Sequence, residues 1–287
     1  MIENSNWLAC PLNKGTHLSA GASMGHVRLG KLPTSRKWRD VVAYLAARDV
    51  DVSGLADAIF KAAQKALKQT SKDPAFVEAC WLLIKIPQAA KSADFVAALK
   101  ELGVQVPAAP SLLDVVIGFD AAIERVMRNP GGRATDLGEM ARQAGIAALY
   151  EVTLERLPTL WKPGTADETT TLATLASPDK FGELAQRFFT KLTERNILYY
   201  LDREWPKHIG SDKLAHSLGD MSLLKDSVRR HCEETTLIMR AFSKDWLAKN
   251  VYVNHRSITH LQTRNFASVA LKKISAELAE RASPRAV

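Results

Sequence analysis

The sequence predicts an all-α chain: a multi-helix array, arranged as two helical subdomains, behind a flexible N-terminal arm. Three observations carry that expectation. Apolar residues recur at spacings of three and four along most of the chain from residue 34 onward. Capping and stop residues bracket those periodic stretches. Short alternating runs such as Val251-Tyr252-Val253 are too brief to argue for a sheet.

Residues 1–33 form the arm. Gly15, Gly21, Gly25 and Gly30 are separated by Ser, Ala and Thr, with no sustained apolar period. Pro33-Thr34-Ser35 then starts a helix through about Arg48, with Trp38, Val41, Val42 and Leu45 on one face. Ser53 caps a second helix carrying Leu55, Ile59 and Leu67. Asp73-Pro74 is a cap followed by proline at the first helical position, and that helix is expected to stop before Pro87. A short helix runs from Ser92 to a glycine stop at Gly103. Ser111 caps a helix through Met127, and Thr135 opens a longer one to Leu157. Residues 34–159 make up the N-terminal subdomain.

Residues 160–178 are the expected linker, with Pro163-Gly164 and a threonine run, and with a short helix around Leu172 and Leu175. Residues 179–287 form the basic C-terminal subdomain. Ser177-Pro178 opens a long helix with Phe181, Leu184, Phe188, Phe189, Leu192 and Ile197. One helix is predicted from Gly219 to Ala248, with a packing seam of Leu224, Val228, His231, Thr235, Ile238, Phe242 and Trp246. Residues 250–254 read as a turn or short extended piece, and a last helix runs from Arg256 to Ala282.

Apolar residues are 46% of the chain, enough to bury a core, while no apolar run approaches the roughly 20 residues a bilayer span needs. Residues 1–30 lack the pattern of a signal peptide. Cys10, Cys80 and Cys232 are too widely spaced for a disulfide framework or a zinc module. A reducing cytoplasm with no membrane contact is the expectation. The net charge is +8. From Arg187 onward there are 18 basic and 11 acidic residues, so the C-terminal third holds nearly all of the excess. That field favours anionic partners.

Candidate sites follow from these patterns. GASMG at Gly21–Gly25 matches the letters of a nucleophile elbow but lacks the flanking strand and helix that would make it one. His208, His216, His231, His255 and His260 do not fall at metal-ligand spacings, and only His231 and Glu234 share a helix face. The sequence thus points to no catalytic residue, no metal ligand set and no cofactor. The segment RNILYYLDREWPKHIG concentrates aromatics and charges. Tyr199, Arg203, Trp205, Lys207 and His208 are candidates for partner binding there, together with Gly21 and Gly25 in the arm. Lys225, Arg229, Arg240 and Lys244 are candidates for nucleic-acid contact, as a stripe on the seam helix that would meet phosphates.

The small-residue arm with GASMG, a helical body, then RNILYYLDREWPKHIG and FSKDWLAKN resemble the QatB-like proteins of bacterial antiphage-defence islands. The likeness covers the arm and the C-terminal third; the helices from Ser53 to Leu157 carry none of it. It implies a non-enzymatic subunit encoded beside an ATPase, a QueC-like protein and a TatD-like nuclease, with the arm presented to a partner. The favoured function is accordingly a non-catalytic interaction subunit of a bacterial multiprotein system, with other subunits, such as the ATPase of the same operon, as partners. The alternative is a nucleic-acid-binding helical protein using the basic C-terminal helices. A third reading is an enzyme with a site near residues 199–208.

Overall fold

The computed structural model describes residues 73–128, 135–157, 164–204, 218–254 and 257–281. The arm at 1–33 and the two helices predicted between Pro33 and Leu67 lie outside these residues. Among the described residues all regular structure is helical, as the sequence predicts.

Local sequence signals set most helix ends. The Asp73 carboxylate accepts from the backbone N–H of Ala75 at 2.9 Å and Phe76 at 3.2 Å, capping α1 (Pro74–Ala89). This helix continues through Pro87, which the sequence reading had placed beyond its end. Pro87 has no N–H to give the Leu83 carbonyl, but the helix closes beyond it, where Ala90 donates to Ile86 at 3.0 Å. Asp94, rather than Ser92, caps α2 (Phe95–Glu101). The chain then reverses at Gly103, whose φ of +77° suits a residue without Cβ.

Ser111 and Asp114 cap α3 (Leu112–Arg128) reciprocally: the Ser111 N–H donates to the Asp114 carboxylate at 2.9 Å, and the Asp114 N–H donates to the Ser111 hydroxyl at 3.2 Å. Thr135 caps α4 (Asp136–Leu154) through the Gly138 N–H. Its hydroxyl also bonds Asp73, tying the starts of α1 and α4 together.

Part of the predicted linker is α5 (Thr165–Thr174), which buries Leu172, with Leu175 buried just beyond. Both leucines join one continuous apolar core that extends from Ala75 to Ile274, on both sides of residues 160–178.

The long helix α6 (Pro178–Glu204) is the centre of the array. It packs against α4 on one flank and against α7 (Leu218–Thr236) and α8 (Ile238–Leu247) on the other. The single helix predicted over 219–248 is in fact these two helices, broken at Leu237. There the hydrogen bonds tighten to three-residue steps: Leu237 N–H to Glu234 at 3.3 Å, and Arg240 N–H to Leu237 at 3.0 Å.

The predicted seam is displaced as well. Val228, Cys232, Thr235, Thr236, Met239, Ser243 and Leu247 are buried, while His231, Ile238, Phe242 and Trp246 are half-buried. The α7–α8 pair is packed by α6 and by α9 (His260–Arg281) together, so its buried face is wider than one stripe. Where residues 250–254 were expected as a turn or short extended piece, the chain forms a π-helical segment (Ala248–Val253). Thr259 caps α9, with Gln262 returning the bond.

An aromatic cluster holds α1, α6, α8 and α9 together. Phe266 lies 4.5 Å from Trp246, 5.5 Å from Phe242 and 6.3 Å from Phe189 by ring centroids. Phe189 in turn packs edge-on to Phe188 and Phe76.

Candidate functional site

Every fourth residue of α6 from Glu183 to Tyr199 turns toward α4, because four residues are close to one helical turn. Glu183 meets Arg156, and Arg187 meets both Glu151 and Glu155 at 2.9 Å. Lys191 meets Glu151 at 3.0 Å, and Arg195 reaches Gln143 at 3.5 Å. The Tyr199 phenol donates to the Asp136 carboxylate at 2.5 Å. The partners descend in number as α6 ascends, so the two helices run antiparallel. Arg142 closes the outer edge of α4 by pairing with Glu139 and Asp120.

From the same outward face of α6 a second ladder reaches the helices on its other side. Asp202 accepts from Lys225 at 2.9 Å, Glu194 from Arg229 at 3.3 Å, Glu183 from Arg240 at 2.6 Å and Asp179 from Lys244 at 2.7 Å. The order is again reversed along the two elements. Between the ion pairs, the Thr190 and Thr236 hydroxyls bond each other at 2.6 Å inside the protein. At Gly182 the backbones nearly touch: a Cβ there would stand 2.5 Å from the Arg240 carbonyl oxygen. That glycine lets α6 and α8 approach closely enough for short ion pairs to form.

Between the two ladders lies a cleft of about 650 Å3, lined by five carboxylates and five cations together with Thr190 and Leu237. A neighbouring cleft of about 620 Å3 continues along α6 toward Tyr199 and Asp136, sharing Lys191, Glu194 and Arg229. The charges hold one another in their ionised forms. Burial works against the charge on Glu151, but hydrogen bonds from Lys191 and Arg187 outweigh it and bring its pKa below the ordinary value. Burial likewise opposes the Arg187 charge, and Glu155 and Glu151 outweigh that. Lys244 lowers the Asp179 pKa through their hydrogen bond, and Asp179 raises that of Lys244. An arrangement of this kind presents both signs in a fixed pattern to whatever enters the cleft.

All four residues proposed from sequence for phosphate contact are thus found together, and each is matched with a carboxylate of α6. Of the partner-binding candidates, Tyr199 lies in the α4–α6 ladder. Arg203 is on α6 with its side chain outside the described residues; Gly21, Gly25, Trp205, Lys207 and His208 lie outside them altogether. His231 is half-buried on α7, and its carbonyl accepts from the Thr235 hydroxyl at 2.7 Å. Among the described residues no three His, Cys, Asp or Glu side chains gather to hold a metal ion. No described helix is long and apolar enough to cross a membrane. Burial pushes the thiols of Cys80 and Cys232 far up, which leaves them un-ionised at neutral pH.

The sequence reading passed over Arg156, Arg187, Lys191, Glu151, Glu155 and Glu183. A signal was there. Glu151/Glu155 and Arg187/Lys191 are i,i+4 doublets of opposite sign on two consecutive long helices, the pattern of facing helix edges. Comparison of this chain with family models, with curated proteins and with solved structures finds no match.

Proposed function

We propose that the chain is a non-catalytic, protein-binding subunit of a multiprotein assembly. The observation that carries this reading is the pairing of Lys225, Arg229, Arg240 and Lys244 with carboxylates of α6. A polyanion gains most from cations whose counterions it can release. Here the counter-charge is built into the neighbouring helix, and the cleft alternates both signs. Such a surface complements a protein face with its own mixed charges, where charge placement selects the partner. The likeness to the QatB-like proteins points to an antiphage-defence system, with the ATPase encoded alongside as the first partner to test.

The test is capture of the full chain from cells carrying its neighbouring genes, beside a version lacking residues 1–33, together with DNA binding measured at two salt concentrations. A defined partner retained with the full chain, and DNA affinity too weak to titrate, is the expected result. Tight DNA binding that falls steeply with salt, or no partner with either version, overturns the reading.

A further inference from the structure

Between Asp245 and Glu277 the sequence holds five Lys or Arg residues and no acidic residue. Most of that stretch is α9 with its approach, and α9 buries one side in the core through Phe266, Ala267, Ala270, Leu271 and Ile274. Its other side is exposed. At 3.6 residues per turn, Leu261, Arg264, Val269 and Lys272 fall within roughly 140° of the helix circumference. Leu261 is 57% exposed and Val269 is 41% exposed. Neither Arg264 nor Lys272 has an ion-pair partner among the described residues, unlike Lys225, Arg229, Arg240 and Lys244.

We propose that this outer face of α9 is a docking strip for an acidic amphipathic helix of a partner protein. The proposal rests on the protein-binding reading above and gives it a place and a partner chemistry. Charge complementarity selects the occupant. Two uncompensated cations on a segment without acids call for carboxylates spaced about two helical turns apart. Leu261 and Val269, interleaved with those cations, gain from apolar side chains set between the carboxylates. A nucleic-acid backbone would satisfy Arg264 and Lys272 but offer nothing to cover the leucine and the valine. A lipid surface would need a broader apolar face than two side chains provide.

The experiment places a photo-crosslinking phenylalanine analogue at position 269 of the full-length chain, in cells carrying its neighbouring genes. A second chain carries it at position 117, where α3 also exposes an apolar side chain. The expected result is a crosslink from 269 to a partner peptide with Asp or Glu flanking Leu, Ile or Val at helical spacing. Its yield should fall about tenfold when Arg264→Glu and Lys272→Glu are combined, with the thermal midpoint unchanged. Crosslinks from 269 to nucleic acid, to lipid or to a partner segment without acids overturn the proposal. So does a yield indifferent to charge reversal, or equal crosslinking from 269 and 117. If a partner co-purifies while 269 gives no crosslink, protein binding stands and the α9 strip falls. If nothing co-purifies with the unaltered chain, protein binding itself falls.

Discussion

The α7–α8 pair and α9 both carry a row of Lys and Arg residues in sequence, yet they differ as surfaces. On α7 and α8 each cation of the predicted stripe meets a carboxylate of α6 in reversed order, so the charge is spent inside the fold. On α9, Arg264 and Lys272 meet none and share their face with exposed Leu261 and Val269. The lesson is that net charge along a sequence locates cations, whereas the neighbouring helix decides which of them a partner can use.

The strongest way to break this contrast is Gly182→Ala. The added methyl has only backbone to displace, so α6 and α8 must separate, and the α6–α8 rungs of the ladder lengthen with them. A loss of about 3 kcal/mol in urea unfolding is expected; an unchanged midpoint would mean that the close approach does not set the register.

Glu183→Gln comes next. Glu183 is shared by Arg156 and Arg240, one on each flank of α6, and its loss leaves the half-buried Arg156 without its carboxylate on α6. Destabilisation of about 1–2 kcal/mol is expected, between the values for exposed and buried pairs. It should shrink in high salt.

Glu151→Gln sharpens the comparison through pH. The Glu151 pKa is lowered in the folded protein, so its contribution is fully present above the ordinary value of 4.5 and is lost as pH falls through the lower folded value. The variant should be less stable at neutral pH, by at most about 1 kcal/mol given its partial exposure. The two stability curves should converge below pH 4.5; a gap that persists in acid would assign the effect to packing.

The smallest effect is expected on α9. Arg264→Ala with Lys272→Ala should leave stability within about 0.5 kcal/mol of the parent, because neither cation supports the fold. A larger loss would place them in the ladder class after all.

Much of the helical array was legible because its signals are local. Asp73-Pro74, Ser111, Thr135 and Ser177-Pro178 announce helix starts through their own side chains and backbone constraints, and Gly103 announces a stop. The extension through Pro87, the break at Leu237 and the π-helical segment were not legible, because packing and hydrogen-bond strain from other elements decide them. The same division holds for the site. The Lys225–Lys244 stripe was visible as spacing on one helix, but its neutralisation by Asp179, Glu183, Glu194 and Asp202 depends on how α6 lies against α7 and α8. Gly182 shows why: a single missing Cβ sets the distance between two helices, and nothing in the residues around it states which backbone it will meet.

The π-helical segment has a consequence for the chain's tolerance of insertion and deletion. Its five-residue step, seen in the 3.0 Å bond from the Asn254 N–H to the Lys249 carbonyl, is what remains when one residue is added to an α-helix without disturbing either end. The widened turn places the Tyr252 phenol 3.1 Å from the Ala176 carbonyl, where α5 has ended and α6 is about to begin. Removing one residue from 248–253 would restore a regular α-helical step with both ends of the segment in place, at the cost of the Tyr252 contact with the end of α5.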